Sequence, residues 1–448
     1  MRVFWMGCGL ALAALAVGAA PLLRAQESVA DAPQPTRPIK IPALPDRLPE
    51  KPSQPPAIKI ALEPLGFSAP SSIYLGQRFS FVSLDFLDED HLLFTFRVPG
   101  LIHRAASDRD AGEGEERQIR AVVLELPSGA VKAEALWTMH DRQRYLWMLA
   151  GGHFLLRDRE NLELGDASLE LKPFLRFPGT LLELEMDPEQ KFLVTNSREA
   201  AAAVHQPEDV PSPPIAEAEI TVDGKQQQSS SQIAVRILRR DSGEVLLVSR
   251  SRNAVHLPIN SEGYLEVLRA PGDRWLLKLN YFSGGSRILG QVESACAPAY
   301  DFLSRRELLL TTCTTDGPGK LTAITTDSRR LWEALTSDAT VWPLTVKAPD
   351  GLRMAREALA VTHPVTTSSP LLQDEIKGQL VEILDAANGK VVLETSASPI
   401  LDGGGNVAIS PSGRRVAVLS AGAIQLFELP PPQPLPEAAP IPVSLSAH

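Results

Sequence analysis

Residues 406–429, NVAISPSGRRVAVLSAGAIQLFEL, carry three short strands separated by two tight turns, and this constrains the fold more than any other stretch. The first strand is 407–410, with Pro411-Ser412-Gly413 as its turn. The second is 415–419, Ala421-Gly422 turns the chain again, and 424–429 is the third. Val416, Val418, Ile424, Leu426 and Leu429 are bulky and apolar, whereas Arg415, Ala417, Gln425 and Glu428 are polar or small. That alternation has a period near two, which places successive side chains on opposite faces of a sheet. Glycine supplies the turns because it reaches positive φ without steric penalty. No useful helical stripe runs through the window.

Related units recur along the chain. A polar turn precedes an apolar strand at 87–90 (LDED, then HLLFTF), 150–152, 187–190, 270–273 (APGD, then RWLLKL), 303–306, 349–351 and 411–413. A second piece, a strand–turn–strand, appears as AVVLELPSGAVKAEALW, AVRILRRDSGEVLLVSR, LTAITTDSRRLWEAL and LVEILDAANGKVVLETS. The two pieces alternate, as the inner and outer hairpins of four-stranded sheets in series would. The pattern predicts an all-β chain, a seven-bladed β-propeller of four-stranded antiparallel blades. The last unit shows only three strands after Asn406. A propeller removes exposed edges by borrowing the missing strand from the other terminus, and residues 57–62, AIKIAL, are placed to supply it.

The ends read differently. Arg2 followed by apolar residues 3–17 and then small residues has the form of a secretory signal peptide, 1–25, cut after Ala25 or after Ala19. An uncleaved membrane anchor is the alternative. Residues 26–56 hold nine prolines from Pro33 to Pro56 and read as a disordered, semi-rigid linker. The tail 431–448 has the same character. The propeller then occupies 57–430, with loops at 105–118 and 199–231 whose composition is too polar to pack.

ISPSGRRVAVLS resembles the repeat of TolB-like and WD40-like bacterial propellers. TTDSRRLWEAL is similar to the quinoprotein-type repeat, in which a Trp docks neighbouring blades. Trp332 matches that position and Trp137 matches it loosely. The resemblance implies the fold of secreted bacterial propellers; the TolB likeness implies a role in envelope protein assembly. The quinoprotein likeness implies a dehydrogenase, but the adjacent cysteine pair of such a site is missing.

Net charge is −10. Loss of Arg2 and Arg24 with the signal, from 44 basic residues against 54 acidic, takes it to −12. An acidic surface repels phosphate backbones and anionic headgroups, so nucleic acid and acidic membrane are poor partners. The eight histidines have no Cys or His at metal-ligand spacing, and no nucleophile elbow or phosphate loop occurs. No metal or cofactor is expected. Two readings follow. One is a monomeric, periplasmic or extracellular binding or scaffolding module for a protein or glycan partner in the cell envelope. The other is a secreted hydrolase or lyase acting on glycans or peptides, with its site in the central funnel.

Two groups of residues stand out. WTMHDRQRYLW at 137–147 joins one blade to the next and brings His140, Arg142, Arg144 and Tyr145 together as a candidate ligand face, since Arg and Tyr dominate binding hot spots. A solvated loop with its own ion pairs is the alternative. Signal cleavage would remove Cys8 and leave Cys296 and Cys313, an even pair in an exported chain. Their midpoint, between residues 304 and 305, is also that of the proposed turn 303–306. A regular hairpin would set them opposite each other, within disulfide reach, unless Pro298 shifts the register by one. Two buried free thiols are the alternative.

Overall fold

A computed structural model describes residues 39–40, 48–49, 51–69, 81–100, 103–104, 115–140, 144–200, 231–314, 319–337, 340–363, 371–401 and 403–433. The described chain is almost wholly strand, with two single-turn 3₁₀ segments, Glu63–Leu65 and Gln373–Glu375. No helix among these residues is long and apolar enough to cross a membrane. The signal-peptide region, Cys8 and Arg142 lie outside them.

Seven antiparallel blades follow one another. Blade 1 is Ser83–Phe86, His91–Arg97, Glu115–Glu125 and Ala130–Met139. Blade 2 is Leu146–Leu149, His153–Asp158, Asn161–Gly165 and Lys172–Arg176. Blade 3 is Thr180–Met186, Phe192–Ala200, Ser231–Arg239 and Val245–Ser251. Blade 4 has Gly263–Ala270, Arg274–Tyr281 and Ser286–Glu293, and its first strand is reduced to the bridge between Ile259 and Tyr264. Blade 5 is Ala299–Phe302, Glu307–Thr312, Lys320–Thr325 and Arg330–Leu335. Blade 6 is Thr340–Lys347, Arg353–Val361, Ile376–Asp385 and Val391–Ala397. Blade 7 is Val407–Ile409, Arg415–Ser420 and Ala423–Glu428, completed on its outer edge by Ile58–Ala61.

Ring closure is therefore the expected one. Ile58 lies opposite Leu426 and Ala61 opposite Ala423, antiparallel, and Ile60 is buried. First strands of neighbouring blades touch, those of blades 6 and 7, 7 and 1, and 1 and 2, so first strands surround the axis.

Blade 7 is covered on both faces. Val416, Val418 and Phe427 pack on blade 6 beside Val381, Ile383 and Leu393. Ala417, Leu419 and Leu426 pack on blade 1 beside Leu84, Leu92 and Phe94. Both faces are buried, so the "polar or small" set includes Ala417, a core residue matched to a narrow gap. Trp332 is fully buried and its indole N–H donates to Ala386 O of blade 6 at 2.7 Å. Trp137 stacks on Phe154 of blade 2 with ring centroids 5.6 Å apart. Both tryptophans thus dock one blade on the next, as the repeat resemblance implies.

Several boundaries differ from expectation. In blade 4 the turn equivalent to SPSG is Asn260-Ser261-Glu262-Gly263, and 270–273 joins the second and third strands instead. Asn260 is buried and its side-chain oxygen accepts from the Glu262 and Gly263 N–H groups, both at 2.9 Å. Strand also extends into both expected loops. Glu115–Glu125 takes in 115–118, and Phe192–Ala200 takes in Glu199, which is buried against Arg236. A buried carboxylate with a bidentate guanidinium partner belongs to a sheet interior, not a solvated loop. The remainder, 105–114 and 201–230, lies outside the described residues. Parts of 26–56, read as a free tether, make defined contacts with blades 5, 6 and 7.

Candidate functional site

In an antiparallel meander the connections alternate between two ends. Here one end carries the turns from first to second strand and from third to fourth. The other carries the connections from second to third strand and the links between blades. The two ends are built differently.

The first end is tight. Asp187 is buried, and its carboxylate accepts from the N–H groups of Lys191 and Phe192 at 2.6 Å and of Glu189 at 3.1 Å. Asp88 accepts from Asp90 N–H, Asp350 from Leu352 N–H and the Ser410 hydroxyl from Arg415 N–H. A short polar side chain just after the first strand thus satisfies the turn's amides in blade after blade. Burial pushes the Asp187 and Asp350 carboxyls up, against the amides that stabilise their charge.

The strand ends joined by the longer stretches of sequence lie at the second end: 98–114, 201–230 and 362–375 within blades, and 252–258, 398–406 and 62–82 between them, of which 70–80, 101–102, 105–114, 201–230, 364–370 and 402 are outside the described residues. The disulfide is also here. Cys296 lies in the link from blade 4 to blade 5 and Cys313 just after the second strand of blade 5; the two are bonded, with Cα atoms 5.8 Å apart. The hairpin pairs Ala299 with Thr311 and Phe302 with Leu308. It centres on Arg305, one register step from the pairing that would set the cysteines opposite. The bond forms beyond the paired strands, past Pro298, where Ala295 N–H donates to Cys313 O at 3.0 Å.

The residues of 137–147 divide. His140 sits between two carboxylates, Nδ1 at 2.8 Å from Asp158 and Nε2 at 3.5 Å from Glu116. Arg144 is exposed, its guanidinium 5.2 Å above the Trp147 ring and its Nε donating to Leu146 O. Tyr145 is not on a ligand face. It is 4% exposed, donates its hydroxyl to Phe81 O at 2.9 Å and accepts from the Thr95 hydroxyl at 2.7 Å. With both ends of its hydroxyl satisfied, burying the ring is favourable, and it joins the core between blades 1 and 2.

Sequence reasoning missed a polar arc on the axial side of blades 3 to 6. His256 Nδ1 lies 2.9 Å from Glu185 Oε1, and its Nε2 lies 2.8 Å from Tyr300 O. Lys347 Nζ donates to Asp301 Oδ1 and to Phe302 O, both at 2.8 Å. The chain Glu185–His256–Tyr300/Asp301–Lys347 therefore crosses four blades. A backbone carbonyl only accepts, so Nε2 carries hydrogen; with a carboxylate at Nδ1, the ring suits the doubly protonated form. His256 is half-exposed, and the desolvation that would lower its pKa is outweighed by Glu185, the Tyr300 carbonyl and Asp301, which hold it up at about 9. Burial and Glu185 push the neighbouring Glu183 carboxyl up, against His256. The Tyr300 phenol is raised by burial, Glu185 and Glu266.

Lys347 and Glu185 lie towards the tight-turn end of their strands, Lys347 ending its strand and Glu185 standing two residues before Asp187, while His256 reaches them from the link between blades 3 and 4. They are engaged with one another, and an imidazolium with both nitrogens donating is no general base at neutral pH. No group of three or more His, Cys, Asp or Glu side chains among the described residues could hold a metal ion.

No family model and no curated protein matches the chain. Solved structures align with it distantly. An acylaminoacyl peptidase of Pyrococcus horikoshii aligns at 10% identity and TM-score 0.43, over 79% of this chain and 52% of that one. A mitotic checkpoint complex structure aligns at 9% and 0.41, over 89% and 99%. The N-terminal domain of Nup159 aligns at 13% and 0.40, over 87% and 98%. The chain spans about half the length of the peptidase.

Proposed function

We propose that this chain is a binding or scaffolding propeller of the periplasm or cell exterior, presenting its long-connection face to a protein or glycan of the cell envelope. One observation carries the reading: the strand ends joined by the longest stretches of sequence lie at one end of the blades, while the other end is held in short, side-chain-capped turns. Loops on a rigid scaffold are where recognition residues collect. The axial arc supports binding over catalysis, because its acids and bases neutralise each other across blades instead of standing ready for a substrate. Export is supported by the signal-like residues 1–25 and by the Cys296–Cys313 bond, which oxidising compartments favour.

The test compares the two ends. The protein without residues 1–25 is used to capture a partner from envelope extracts. Arg142→Ala with Arg144→Ala should weaken capture at least tenfold at an unchanged melting temperature. Glu189→Ala with Arg305→Ala, on the tight-turn end, should leave capture intact. Equal loss from both pairs would remove the face assignment.

A further inference from the structure

Described residues before the closing strand touch the outside of three blades. Ile39–Lys40 pairs in parallel with the outermost strand of blade 5, Ile39 opposite Trp332 and Lys40 opposite Glu333. Leu48 lies over Gly378 in the third strand of blade 6. The outermost strand of that blade ends its pairing at Ala397, opposite Gln379, so Gly378 stands just beyond its cover. A Cβ built on Gly378 would come within 2.5 Å of a Leu48 methyl carbon. Gly378 has no positive φ, so its lack of a side chain leaves room for Leu48 and serves no backbone requirement. Five residues on, Ser53 N–H donates to Glu394 O at 2.8 Å while Glu394 N–H donates to Ser53 Oγ at 2.9 Å. Gln54 then donates to Glu428 O at 3.1 Å, and Ala57 N–H to Leu426 O at 2.8 Å, where the closing strand begins.

These contacts form a ligand set of a particular kind. Half are main-chain bonds to the outer edge of a sheet, which any extended strand can make. Side-chain selectivity comes from the notch at Gly378, sized for an aliphatic side chain, and from the hydroxyl facing Glu394. The bonds are few, and Leu48 is only half-buried. The closing strand, in contrast, pairs over four residues and buries Ile60.

We propose that the outer edge of blades 5 and 6 is a strand-binding surface, touched here by the chain's own residues 39–40, 48 and 53. An extended peptide segment of a partner, with an aliphatic side chain seated over Gly378, takes the same place when those residues are displaced. Tethering gives the resident segment an effective concentration on the order of millimolar. A free peptide of the same sequence at micromolar concentration therefore loses to it, and gains the site only when the resident contacts are weakened. At Gly378 this surface adjoins the long-connection end, and from there it runs along the outer strands of the blades.

The test uses the full chain and a fluorescein-labelled peptide of residues 37–56. Leu48→Asp with Ser53→Pro weakens the resident segment and leaves Gly378, Glu394 and the closing strand intact. Hydrogen exchange at the Glu394 amide should accelerate, with the melting transition of the ring retained. The double variant should then bind the peptide saturably, at least about tenfold tighter than the unmodified chain. Adding Gly378→Val should abolish that binding. An unchanged Glu394 amide, no saturable binding to the double variant, or binding that survives Gly378→Val would each overturn the proposal.

Discussion

The two ends of the blades obey different rules. At the tight end the connections are a few residues long, and buried Asp187 and Asn260 bind the turn amides from inside. Blade-to-blade docking by Trp332 reaches the same end, since Ala386 lies in the turn after the third strand of blade 6. At the other end the connections vary from two residues, at 421–422, to the whole of 201–230. Buried side chains also hold parts of the second end, Gln379 with Asn406 under 398–406 and Asn196 on Val255, so the difference between the ends is the length of connection and the exposed loop it leaves available for recognition, not the presence of caps.

Substitutions sharpen that contrast in a graded way. Trp332→Ala should have the largest effect, about 3–5 kcal/mol from the lost ring and its cavity, read as a lower denaturant midpoint. Partner capture per folded molecule should be unchanged. Asp187→Ala removes the acceptor of three amides and should lower stability by about 2–3 kcal/mol, whereas Asp187→Asn should recover part of it. If either substitution proved silent, the tight end would not be the structural one.

The axial arc gives a pH signature of smaller size. His256 has a folded value of about 9 against 6.5 for the free side chain. Its contribution is complete below pH 6.5 and is lost as pH rises from there through about 9. The melting-temperature advantage of the natural chain over His256→Gln should therefore shrink between pH 6.5 and 9.5. A constant or growing gap over that range would mean the imidazolium does not join blades 3, 4 and 5. Smallest of all, replacing 201–230 by half its length of Gly-Ser should change stability by about 0.6 kcal/mol or less, measured by urea denaturation.

How much of this was legible in the sequence depended on locality. Strand pieces, the N-terminal closing strand, the docking position of Trp332 and the cysteine pair are local or pairwise signals, and the residues show them. Blade 4 misled because its connection at 270–273 is tight, so APGD imitates the turn that INSEG makes. Tyr145 misled because a Tyr next to arginines reads as exposed until Phe81 O and Thr95 are seen to satisfy its hydroxyl. The axial arc was invisible: Glu185, His256, Tyr300, Asp301 and Lys347 come from four blades, and only their placement on or just before first strands unites them. Leu48 gave no signal either, because its partner is a glycine 330 positions along the chain.

Partner binding at the long-connection face is the central prediction. Cross-linking mass spectrometry of the protein with its captured envelope partner tests this most directly. Cross-links should fall on residues of 137–147, 201–230, 252–258 and 362–375. Cross-links confined to the turns at 87–90, 187–190, 260–263, 303–306 and 385–391 would contradict it.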